Sequence, residues 1–350
     1  MKTGWLAATV VAALLLASCG GANGLEKPDS TASGSASRPR GEGERSGRQP
    51  ELQPLELTLA GPEGPESAGI LMADRHGYFA DAGLGVDVLT PGVPAYPVKY
   101  VLQEIDDLGV TPLPQLVLAR EKGFPIVAVG SLLPRPPATM IWLRSSGIHR
   151  IGDLKGKTIA IPGLDFQKDL LGSLLARAGL TLKDVEVKTV QYKLVPSLVS
   201  GRADAIFGGS ANIEGLELES RGLHPVVAPV RSLRLPSYDQ LVVIAREDRV
   251  ARDPEMIRRF LAAVRRGTAA AIRDPEAAVE ATESSGEPNV EASPRDTEAE
   301  VEATLPLLSR SGRMSPARAR RLIAWMHREG LTRRTPPVSS LLTNRYLPNP

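Results

Sequence analysis

Between residue 55 and about residue 230, short apolar runs of β type alternate with helical segments. This alternation restricts the fold more than any other feature, because strands separated by crossover helices assemble into a largely parallel sheet covered by helices. The expected strands are 55–59, 86–89, 108–111, 126–129, 158–161, 185–190, 205–207 and 226–228. Segments 102–110 and 198–206 echo one another, each reading as a short helix, a polar turn with Asp, and a strand. Two such strand ends facing each other would form a cleft, since ligands of open α/β sheets sit at the carboxyl ends of strands. Pro-containing β-type stretches near 136–144 and 236–245 are expected to connect two lobes, one of residues 52–140 and 241–350 and the other of 141–240. From Asp253 onward the pattern is helical. Asp253-Pro254 and Asp274-Pro275 each place a capping Asp before a Pro whose missing N–H costs nothing in the first turn.

The N-terminus has the form of an export signal over residues 1–18. Lys2 supplies the positive charge, the run from Trp5 to Leu16 the apolar stretch, and Ala17 and Ser18 the small residues before Cys19. The apolar run is too short to span a ~30 Å hydrocarbon core at 1.5 Å per residue. Cys19 is the one cysteine of the chain, so an internal disulfide is impossible. Leu16-Ala17-Ser18-Cys19 resembles the bacterial lipobox, which implies lipidation of Cys19 and anchoring to the outer face of the cell membrane. Residues 19–51 are rich in Gly, Ser, Pro, Arg and Glu and read as a disordered tether. The net charge is +2 with both signs interspersed, so no basic stripe points to nucleic acid. The Arg-rich run 310–334 alternates with apolar residues at helical spacing and reads as a surface helix, with a membrane-facing alternative.

Three blocks resemble the substrate-binding proteins of bacterial ABC importers: Gly77-Tyr78-Phe79-Ala80-Asp81-Ala82-Gly83-Leu84, Leu118-Ala119-Arg120-Glu121-Lys122-Gly123-Phe124-Pro125 and Ile151-Gly152-Asp153-Leu154-Lys155-Gly156-Lys157-Thr158. Gly208-Gly209-Ser210-Ala211-Asn212-Ile213-Glu214, Pro236-Ser237-Tyr238-Asp239-Gln240-Leu241 and the ending Thr343-Asn344-Arg345-Tyr346-Leu347-Pro348 are similar to the group that binds thiamine pyrimidine precursors. The resemblance implies an α/β, two-lobed periplasmic-binding-protein fold (type II, Venus-flytrap) with two crossovers and a helical C-terminal part. It also implies a small-molecule ligand held between the lobes, and a permease and ATPase as partners. The chain departs from that group in two places. The aromatic and His expected before Ala68-Gly69-Ile70 are absent, with Glu63 near the position of an Asn, and Ala211 replaces an aromatic.

An aminopyrimidine needs acceptors for its amine and apolar contacts to its faces. Glu214 is the expected acceptor, matching the group's acidic residue, although an acid opening a helix is also favoured by the helix dipole. Asn212 and Ser210 follow the same strand end and suit either the ligand or a helix cap. Gly208 and Gly209 allow close backbone approach. Thr111 is the corresponding strand end of the first lobe. Tyr192, Phe166 and Tyr238 are candidates to stack on a planar ring, scarce in a chain with 4% aromatic residues. Glu63 and Asp165 lie in loops after strands and are candidates to meet an amine, with solvated loop carboxylates as the alternative reading.

Enzymatic relatives of this group carry a cysteine-rich motif with iron and a pyridoxal phosphate lysine, and this chain has no cysteine beyond Cys19. His76, His149, His224 and His327 are scattered without metal-ligand spacing. A binding protein without cofactor or metal is therefore expected, and a monomer. Riboflavin-like heterocycles, sulfonates and nitrate remain alternative ligands, and presentation of a ligand to a sensor an alternative role.

Overall fold

A computed structural model describes residues 51–90, 96–136, 138–229, 236–285 and 297–348. The expected signal peptide, Cys19 and nearly all of the tether lie outside the described residues.

Among the described residues, ten strands form two five-stranded sheets. The first contains β1 (Gln53–Thr58), β2 (Leu84–Leu89), β3 (Leu108–Thr111), β4 (Ile126–Leu133) and β10 (Leu241–Arg246), in the order β2-β1-β3-β10-β4. The second contains β5 (Ala138–Leu143), β6 (Thr158–Ile161), β7 (Glu186–Thr189), β8 (Ala205–Ser210) and β9 (Pro225–Pro229), in the order β7-β6-β8-β5-β9. The plan is the same in both. Strand β1 is parallel to β2 and β3, as β6 is to β7 and β8, and the fourth position is taken by an antiparallel strand, β10 in one and β5 in the other. The two echoing segments end in β3 and β8, which hold the equivalent third position.

Strands buried on both faces need continuous apolar sequence. β3 is buried at all four residues, and β10 at five of its six. Met140 to Leu143, expected as an extended strand at the crossover, lie within β5, in register with β8 on one side and β9 on the other. The chain passes between the sheets after Leu133 and returns before Leu241.

The first sheet packs against the helices Ala68–Arg75 and Pro254–Arg273 around a core that includes Leu57, Ile70, Met72, Val243 and Phe260. These two helices approach closely because Gly267 faces Gly69. A Cβ on Gly267 would stand 2.1 Å from the Gly69 carbonyl oxygen. A second apolar cluster joins the helices Leu113–Glu121 and Asp165–Ala176 with Met140, Trp142 and Phe207 of the second sheet and with the helix Pro316–Arg328. That last helix buries Leu322, Ile323 and Met326 and exposes Arg320, Arg321 and Arg328, as a surface helix should. The two capping aspartates act as their sequence predicts. Asp253 accepts from the Met256 N–H at 3.0 Å and Asp274 from the Ala277 N–H at 3.1 Å. Among the described residues no helix is long and apolar enough to cross a membrane.

Candidate functional site

The carboxyl ends of β1, β3, β6, β7 and β8 converge on a cavity of about 190 Å³ between the two sheets. The first sheet contributes Gly61, Pro62 and the turn 64–67 after β1, Val110 and Pro112 around the end of β3, and Gln240 and Leu241 where β10 begins. The second contributes Leu164 and Gln167 after β6, Gln191 and Tyr192 after β7, Ser210 at the end of β8, and Ile213 and Glu214 after it. The location is that expected of open α/β sheets.

Local backbone chemistry sets the wall around β8. Gly208 has φ +94°, and a Cβ there would come within 2.7 Å of the Gln167 amide nitrogen. Only glycine accepts both constraints. Past Ser210 the chain makes a π-helical turn, Ala211–Gly215, an uncommon geometry often found at functional sites. This turn folds Glu214 back, so that its Oε2 accepts from the Ser210 N–H at 2.6 Å. The opposite wall places Tyr192 against Gly61, where a Cβ would lie 3.3 Å from the ring. Gln191, just before it, has φ +54°, a costly conformation for a residue other than glycine.

Among the described residues that line the cavity, Glu66 and Glu214 are the acidic side chains, and there is no Lys, Arg or His. Glu66 projects from the short turn Pro65–Ser67, with its Oε1 shielded from solvent and without a hydrogen-bond partner. Burial, and then the charge of Glu214, pushes the Glu66 carboxyl up to about 7. Gln240 brings a further shielded acceptor, Oε1, that has no partner. Burial also raises the phenol of Tyr192 above its ordinary value, so the ring stays neutral.

Of the residues expected to bind, Glu214, Ser210 and Tyr192 line the cavity together. Gly209 and Glu63 lie beside lining residues without lining it themselves. Thr111 is buried between Val110 and Pro112, with its hydroxyl unpartnered. Asn212 is buried and donates from Nδ2 to Thr304 Oγ1 at 2.7 Å. Phe166 and Tyr238 belong to the apolar cluster behind the cavity, and burial raises the Tyr238 phenol. Next to Tyr238, the fully buried Asp239 accepts from Ser131 Oγ and from Arg318 Nη2, each at 3.0 Å, which fixes the return of the chain to the first sheet.

Glu66, Gln167, Gln191 and Gln240 were not expected. Glu66 had a legible signal, since it follows Gly64-Pro65 in the loop after β1, the loop in which Glu63 was the expected acid. Among the described residues no group of three or more His, Cys, Asp or Glu side chains is placed to hold a metal ion.

The family model described as NMT1/THI5 like matches residues 64–278. A protein of Haemophilus influenzae named for thiamine biosynthesis is 32% identical over 268 residues, 76% of this chain and 84% of its own length. The formylaminopyrimidine-binding protein of Halalkalibacterium halodurans is 31% identical, over 60% of this chain and 64% of its own. The 4-amino-5-hydroxymethyl-2-methylpyrimidine phosphate synthase of Schizosaccharomyces pombe is 28% identical, over 60% and 63%. Among solved structures, the alkanesulfonate-binding protein of Xanthomonas axonopodis pv. citri superimposes with a TM-score of 0.66 at 17% identity, over 84% of this chain and 99% of that one. The chain thus has the periplasmic-binding-protein fold. At this identity the likeness concerns the fold alone.

Proposed function

This chain belongs to the NMT1/THI5-like family, and on that premise we propose that it is an exported lipoprotein of an ABC importer that captures a thiamine pyrimidine precursor between its lobes and delivers it to a permease. One observation carries the choice of ligand: among the described residues that line the cavity there are two carboxyl groups, Glu66 and Glu214, and no cationic side chain. An anion such as a sulfonate or nitrate would meet like charge there, with no cationic group among the described lining residues to offset it. An aminopyrimidine instead brings amine N–H donors and ring nitrogens to these carboxyl groups and a planar face to Tyr192. Gln240 Oε1, shielded and unpartnered, is a further acceptor for it.

A binding role is favoured over synthesis by the residues present. Among the described residues no lysine lines the cavity to hold an aldehyde cofactor, and the chain has a single cysteine, Cys19. Capture needs tighter binding to the closed than to the open arrangement, by about 5.5 kcal/mol for a full shift. Contacts from both sheets to one ligand supply that difference. Lipidation of Cys19 would hold the receptor beside its permease, with a tether reach of roughly 5–6 Å × √n for n residues.

Native mass spectrometry of protein purified from the membrane without refolding tests the reading. The expected result is a co-purifying mass of an aminopyrimidine; a co-purifying sulfonate would contradict it. Cys19→Ala is expected to release folded, binding-competent protein from the membrane and to impair uptake, and retention of that variant in the membrane fraction would refute the anchor.

A further inference from the structure

The two acids of the cavity stand in unequal surroundings. Glu214 accepts a backbone N–H from Ser210 at 2.6 Å, which favours its ionised form. Glu66 comes from the opposite sheet, and its shielded Oε1 has no such donor. The groups around Glu66 do not compensate. Glu214 and Tyr192 face it across the cavity, Glu63 shares its loop, and the buried Glu300 sits on the helix Thr297–Thr304 packed against its turn. The other helices closing on that turn, Ala68–Arg75 and Pro275–Ser284, carry Asp74, Arg75, Glu276, Glu280 and Glu283 at the surface, and of these Arg75 and Glu280 pair with each other. Strand β4, also against the turn, carries no titratable group.

We propose that Glu66 and Glu214 hold one proton between them, carried by Glu66, and that this asymmetry reads the amidine edge of the ligand. The Glu66 O–H donates to a ring nitrogen while the ionised Glu214 accepts from the adjacent exocyclic amine. The inference rests on the aminopyrimidine reading above. A ring nitrogen and its neighbouring amine present one acceptor and one donor, so one acid and one carboxylate complement them. Two carboxylates would set lone pairs against the ring nitrogen, and two neutral acids would forgo the stronger charge-assisted bond to the amine.

Proton balance gives the inference a measurable form. The complex contains one proton shared by Glu66 and the ring, whichever of them brought it. Once the free site and the free ligand have both lost that proton, binding must take one up from solution, and affinity falls about tenfold per pH unit. Glu66→Gln replaces the O–H by an N–H donor that does not titrate.

Calorimetry with 4-amino-5-hydroxymethyl-2-methylpyrimidine at pH 7, 8 and 9, in buffers of different ionisation enthalpy, tests this on the wild type, E66Q and E66A. For the wild type, Kd is expected to rise about tenfold from pH 8 to 9 with uptake of about one proton. E66Q is expected to bind within roughly threefold of wild type at pH 7 and to keep its Kd up to pH 9, whereas E66A binds about tenfold more weakly or worse. A wild-type Kd that is flat from pH 8 to 9 without proton uptake would overturn the inference and leave the aminopyrimidine reading intact. An E66Q profile falling as steeply as wild type would do the same. Absence of wild-type binding at every pH would overturn both. The wild-type proton uptake decides the matter even if a variant fails to fold.

Discussion

Asn212 Nδ2 donates to Thr304 Oγ1 across 2.7 Å, joining the turn after β8 in the second sheet to a helix packed on the first. Asn212 was expected at the ligand, and its neighbours Ser210, Ile213 and Glu214 do line the cavity. Its own side chain instead bridges the two halves. A hydrogen bond of this kind contributes about 0.5–1.5 kcal/mol net. Asn212→Ala and Thr304→Val are therefore each expected to weaken ligand binding by roughly 2–10-fold through loss of the closed arrangement, and the double variant no further. A calorimetric double-mutant cycle checks this. Loss in Asn212→Ala with none in Thr304→Val would place Asn212 on the ligand instead.

Asp239 and Arg318 support a second prediction. The carboxylate is fully buried, and its pair with the guanidinium, together with Ser131, satisfies it. Burial still raises the Asp239 carboxyl, with Arg318 and Ser131 opposing that shift. Removing one partner of a buried pair strands the other, at about 3–5 kcal/mol. Arg318→Ala is expected to lose stability on that scale in urea unfolding, and a change below about 1 kcal/mol would refute the role given to the pair.

The stability of the ligand-free protein should report on Glu66. Its carboxyl is raised from 4.5 to about 7, so between these values the folded chain holds more protons than the unfolded one. Stability therefore falls as pH rises through that window. Glu66→Gln removes the effect and is expected to be more stable than wild type at pH 8, by about 1–3 kcal/mol, with the difference vanishing near the lower end of the window. Thermal melts at pH 4.5 and pH 8 measure it. Equal melting temperatures of the two proteins at pH 8 would contradict the burial of this acid.

Much of the architecture is legible locally. β3 and β6 have the expected bounds because each is an apolar run closed by a polar residue or a proline, and Asp253 and Asp274 announce their helices through cap chemistry that needs no tertiary context. Pairing is not legible in this way. The residues from Met140 to Leu143 are equally apolar as a connection or as β5, and only their partners β8 and β9 decide between the two. The same limit applies at the site. Glu214 follows a glycine-rich strand end and could be singled out, whereas Glu66 and Glu63 differ only in how the Gly64-Pro65 turn aims them. Phe166 and Gln167 are adjacent on one helix, yet one faces the apolar cluster and the other the cavity. Rotation of a helix against its neighbours sets that choice, and tertiary packing fixes the rotation.

The central claim is that two acids in this cavity select an aminopyrimidine over an anion. Its most direct test is titration of the wild-type protein and Glu214→Ala, at pH 7, with 4-amino-5-hydroxymethyl-2-methylpyrimidine and with ethanesulfonate. We predict saturable one-site binding of the pyrimidine, weakened about 10–100-fold in Glu214→Ala, as expected for loss of a charged hydrogen bond, and no binding of the sulfonate. Tight binding of the sulfonate, or a pyrimidine affinity unchanged by Glu214→Ala, would contradict the account.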